Sequence, residues 1–125
     1  LLTERRKHFN LKPFPYDIHV FVTNDIAQCH DRWGKRANVF TEEEMKSIMA
    51  LTVTDPSWSD CYIFLEEGCS LEEIAHEVTH AVIYFLTYVG AAQDSEFMAY
   101  YIGWLTDRIS NFVRTKRKPA KQKAT

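Results

Sequence analysis

The chain has 125 residues, 46% hydrophobic and 14% aromatic, which is one globular domain's worth of sequence and excludes a disordered or low-complexity protein. A domain of this size builds its core without a disulfide framework or a structural metal. Cys29, Cys61 and Cys69 are an odd number without CxxC spacing, which points to a reduced, intracellular setting. The net charge of −2 hides an uneven distribution, because residues 13–113 hold 5 Lys/Arg against 16 Asp/Glu while both ends are basic. The expected organisation is a basic N-terminal segment (1–12), a folded domain (13–113) and a basic disordered tail (114–125).

In chain order, Pro13 and Pro15 lead into a strand at about Asp17 to Thr23, in which Ile18, Val20 and Val22 alternate with His19 and Phe21. Asn24 and Asp25 are candidate caps for a helix to about Lys35. Thr41 and Glu44 form a capping box for a short helix to about Leu51. A second strand, Cys61 to Glu66, is apolar on both faces. It offers either an edge for an extended peptide or a plain core strand. Ser70 and Glu73 open the longest helix, about Leu71 to Val89, which Gly90 ends. The last helix runs from about Ser95 to Val113, with Met98, Ile102, Leu105 and Ile109 as its core stripe. These elements predict a small α+β domain. The run Ala81 to Ala92 is too short to span a bilayer and no signal peptide is evident, so the expectation is a protein with no membrane association.

The long helix contains His76-Glu77-Val78-Thr79-His80. Four residues turn a helix by about 400°, so both imidazoles project from one face, where they can ligate one Zn²⁺ ion. Glu77 lies beside the metal, placed to take a proton from a zinc-activated water. A catalytic zinc usually has a third protein ligand, and Glu96 is the candidate. Its stripe Glu96, Ala99, Tyr100 and Gly103 contains small residues that would let the last two helices approach closely. Tyr100 is the first candidate donor to the oxyanion, ahead of Tyr101 and His30. A fourth ligand such as His30 or Asp94 would instead mark the metal as structural, although Asp94 reads first as an N-cap.

HExxH followed by a helical Glu resembles the gluzincin branch of zinc metallopeptidases. More closely, His76-Glu-Val-Thr-His-Ala followed by Glu96-Phe-Met-Ala-Tyr-Tyr-Ile-Gly-Trp104 resembles small single-domain HExxH proteins encoded by tailed bacteriophages and prophages. The resemblance covers about the last third of the folded body. It implies a minimal zincin-like domain, a zinc held by His76, His80 and Glu96, Glu77 as base, and a place in the cytoplasm of the bacterial host. The expected function is a zinc-dependent metallopeptidase or amide hydrolase acting on a peptide or protein. The alternative is a non-catalytic, metal-stabilised binding or structural protein that contacts a host or virion component. The tail 114–125 is a candidate electrostatic contact for nucleic acid or an acidic partner.

Overall fold

The computed structural model describes residues 1–33, 48–54, 59–90 and 95–115. Among them the order is β1 (Glu4–Asn10), β2 (Asp17–Thr23), α1 (Ile26–Trp33), β3 (Ala50–Thr54), β4 (Asp60–Glu66), α2 (Leu71–Val89) and α3 (Ser95–Arg114). The strands form one mixed sheet in the order β1-β2-β4-β3. β2 and β4 run parallel with Val20 opposite Ile63, and each is flanked by an antiparallel neighbour. The protein is therefore a small α+β domain, and no described helix is long and apolar enough to cross a membrane.

Strand alternation sorts the side chains into two layers. Ile18, Val20, Val22, Cys61, Ile63 and Leu65 form the larger core with Ile74, Val78, Val82 and Phe85 of α2 and Leu105 and Ile109 of α3. Phe21, Leu51, Val53 and Phe64 point to the other face and pack with Ile26 and Cys29 of α1. β4 is apolar on both faces because it is interior, so it is the core strand of the two readings, and on its side of the sheet β3 is the outer strand among the described residues.

Two strands depart from the sequence expectation. The basic segment 1–12 is not outside the folded body, because Glu4–Asn10 is strand β1, in register with β2 from Glu4↔Thr23 to Asn10↔Asp17. Its composition disguised it: Arg6 and Lys7 are what an edge strand carries toward water. Arg5 also ties the sheet to the end of α3. Its guanidinium donates to the Phe112, Val113 and Thr115 carbonyls at 3.0, 3.0 and 2.9 Å and to both Glu67 oxygens at 3.2 and 3.3 Å, which uses all five N–H groups. The second departure is β3, whose Ala50 and Leu51 are extended where the sequence suggested the end of a helix. The start of that helix, at Thr41 to Glu44, and the tail beyond Thr115 lie outside the described residues.

Local chemistry set the ends of α2 as expected. The Ser70 hydroxyl accepts from the Glu73 N–H at 3.1 Å while the Glu73 carboxylate accepts from the Ser70 N–H at 2.8 Å. Gly90 caps the other end at φ 71°, a left-handed conformation that glycine adopts without a Cβ penalty. In α1 it is Asp25 whose side chain accepts from the Gln28 N–H, at 3.1 Å.

Candidate metal and catalytic site

His76 and His80 lie one turn apart on α2, both exposed, with their Nε2 atoms 3.2 Å apart and their rings at 75°. As it stands the contact is an imidazole–imidazole hydrogen bond; two nitrogens about 2.0–2.1 Å from one tetrahedral zinc stand about 3.3–3.4 Å apart, so the same spacing also suits two ligands on one ion. Imidazole nitrogen is also the donor chemistry that Zn²⁺ prefers. The thiols are not. Burial raises Cys29 to about 12 and Cys69 to about 11, and it pushes the wholly buried Cys61 higher still.

Glu77 turns toward the sheet beside the histidines and is buried, with 8% of its surface exposed. Its Oε1 accepts from the Thr52 hydroxyl of β3 at 2.7 Å, and its carbonyl oxygen lies 3.2 Å from the same hydroxyl. Glu77 and His76 form one wall of a groove of about 330 Å³ that Ile48, Met49 and Ala50 close on the β3 side and Glu72 and Glu73 close at the start of α2. The tyrosine nearest this constellation is Tyr84, one turn past His80, with their rings 6.5 Å apart. Burial first, then Cys61 and Glu77 nearby, pushes the Tyr84 phenol up, so it stays a protonated donor at neutral pH.

The other predicted residues are not brought to this place. The last turn of α3 is held at the β1 edge by the Arg5 bonds and by Arg5 stacked 5.2 Å from the Phe112 ring. The histidine pair belongs to the β3 edge, three strands away. Phe85 meets Tyr101 at 5.0 Å, and the far end of α3 shares the Arg5 guanidinium with Glu67, which lies just before α2, so α2 and α3 are antiparallel. In that register Glu96 is level with the end of α2, on the order of 15 Å along the axis from His80.

The stripe that was to bring Glu96 close faces water instead. Glu96, Ala99, Tyr100 and Gly103 are exposed, Tyr100 by 63%, and a Cβ on Gly103 would meet nothing within 4 Å. Tyr100 packs its ring only edge-on to its neighbour Tyr101, at 5.4 Å. His30 is buried under the opposite face of the sheet against Phe64, at 5.5 Å, and so cannot be a fourth ligand. Asp94 lies outside the described residues. Among the described residues no set of three His, Cys, Asp or Glu side chains converges on one point.

Sequence reasoning missed Thr52 and Tyr84. Tyr84 was within reach of a periodicity argument, since 76, 80 and 84 form one helical stripe. Thr52 was not, because its link to Glu77 spans 25 residues. A second polar group, on the other sheet face, also escaped: His8 stacks on His19 at 4.9 Å and 13°, and His19 stacks on Tyr62 at 5.0 Å. Asp17 lies 2.7 Å from His8, and Asp60 lies 3.7 Å from His19. Parallel rings aim their lone pairs in parallel, so this ladder does not chelate an ion.

No protein-family model matches the chain, and neither the curated proteins nor the solved structures give a significant match.

Proposed function

We propose that this protein is a minimal zincin-like, zinc-dependent metallopeptidase or amide hydrolase, of the kind carried by tailed bacteriophages, that acts on peptides or proteins in the cytoplasm of a bacterial host. The observation that carries the reading is the 3.2 Å approach of His76 Nε2 to His80 Nε2, with the Glu77 carboxylate buried beside them in a groove.

His76 and His80 would hold the metal as its two ligands among the described residues, with no third His, Cys, Asp or Glu side chain converging on them there. Bound zinc supplies Lewis-acid chemistry, polarising a carbonyl and lowering the pKa of water toward about 7. Glu77 removes the proton of the attacking water and delivers it to the leaving amine. The Tyr84 phenol is the nearby donor for the oxygen that gains charge. Ile48, Met49 and Ala50 line the groove at the start of β3, and β3 pairs only with β4 among the described strands. Its outer edge suits an extended peptide laid alongside it.

The test is zinc analysis of wild type, Glu77→Gln and the His76→Ala/His80→Ala double variant, combined with cleavage of a peptide library. About one zinc per chain in wild type and Glu77→Gln, none in the double variant, and cleavage by wild type alone is the expected result. Wild type without stoichiometric zinc overturns the reading. Zinc in wild type with no cleavage by any form transfers support to a non-catalytic, metal-stabilised binding protein.

A further inference from the structure

We propose that Thr52 is the positioning residue for Glu77, holding the base by one carboxylate oxygen and registering it against the edge of β3; this rests on the metallopeptidase reading above. Thr52 is only 9% exposed, sits in the middle of β3 opposite Ile63, and points to the face covered by α2. Among the groups that surround it there, Ala50 and Ile63 offer nothing polar, so its hydroxyl needs a partner from α2.

The hydroxyl has one proton and two oxygens in reach, both from Glu77. The side-chain Oε1 at 2.7 Å is the closer acceptor, while the main-chain oxygen is at 3.2 Å. The proton therefore goes to the carboxylate. Its β-branched side chain restricts χ1, and the strand beneath is paired along its whole length to β4, so the donor is rigid. Oε1 is engaged against the sheet, and Oε2 is left as the oxygen for the groove, which Glu77 lines.

The same strand is the outer one among the described strands, so Thr52 links two parts of the site. A peptide paired to β3 takes its position from the β3 backbone, and the base takes its position from a β3 side chain. Base and scissile bond are then referred to one rigid element, an arrangement in which small displacements are expensive. Removing the hydroxyl leaves the edge and the histidines in place, so it affects the chemical step and spares substrate and metal binding.

The experiment compares wild type, Thr52→Val, Thr52→Ser and Glu77→Gln as zinc-loaded proteins. It measures kcat and KM on a cleaved peptide, zinc content, and the Glu77 side-chain position by crystallography. Thr52→Val is expected to lower kcat by roughly tenfold or more with KM within about twofold and zinc content unchanged. Its Glu77 carboxylate should leave the wild-type position, and Thr52→Ser should restore both position and rate. A Glu77 carboxylate that stays in place in Thr52→Val, an unchanged kcat, or a Thr52→Ser as impaired as Thr52→Val overturns the proposal. Failure of the metallopeptidase reading looks different: wild type then cleaves nothing, or Glu77→Gln cleaves as well as wild type. The crystallographic comparison still decides the role of Thr52 in either case.

Discussion

Arg5→Met removes the clamp between the first strand and the end of the last helix while keeping the side chain's apolar stem. Five hydrogen bonds disappear, but they are not equal. The two to the Phe112 and Val113 carbonyls are partly buried, at 3.0 Å each, whereas those to Thr115 and Glu67 are exposed. Water replaces the exposed partners at little cost. The two partly buried bonds, at roughly 1 kcal/mol each, set the expected loss at about 2 kcal/mol. For a domain of this size that is a fall in Tm of roughly 10 °C. Arg5→Lys should recover less than half of it, since an ammonium on one nitrogen cannot span three carbonyls and a carboxylate. Urea unfolding followed by circular dichroism, with the m-value checked for constancy, measures the change. A loss under about 0.5 kcal/mol, or a lysine variant as stable as wild type, would refute the view that strand β1 and helix α3 are held together at this guanidinium.

The remaining expectations concern the metal and pH. In the metallopeptidase reading, Glu96→Gln should leave zinc content and affinity unchanged, because Glu96 is exposed at the start of α3, on the order of 15 Å along the axis from His80; loss of zinc in that variant would mean that α3 packs differently. His30 is 2% exposed, and burial holds its pKa below the ordinary 6.5, with Asp31 opposing. The unfolded chain therefore takes up the His30 proton first as pH falls below about 6.5, and stability declines until the folded pKa is passed. His30→Leu should flatten this limb of the stability profile below about pH 6.5, and an unchanged slope would place the ring in water.

Helix α2 was the most legible element because its instructions are local. The Ser70 and Glu73 box, the apolar face through Val78 and Phe85, and Gly90 all act within a few residues of where they stand, and the observed helix has the predicted ends. The HExxH pair follows from the same locality, since four residues on any helix bring two side chains together. Strand β2 was readable from alternation, and β4 from its unbroken apolar run.

Where the partner is distant, the pattern in the chain said little. Strand β1 is basic and has no local signature beyond a single buried Phe9, and β3 is five residues long. Both become strands because a neighbour supplies the hydrogen bonds. Glu96 shows the limit most clearly. Its helix and its spacing from His80 were read correctly, but which face of α3 meets α2 depends on which half of the sheet each helix covers. That choice is settled by burial of Leu105 and Ile109 and by Arg5, elements far apart in sequence.

The sequence by itself determined a two-histidine turn with an adjacent glutamate on a well-capped helix, because side-chain placement within one helix is a matter of fixed geometry. Tertiary structure decided what stands around it: Thr52 on a strand 25 residues earlier grips Glu77, and the third helix leaves Glu96 exposed, level with the end of α2. Those arrangements arise from packing two helices across a sheet whose strand order no local pattern encodes.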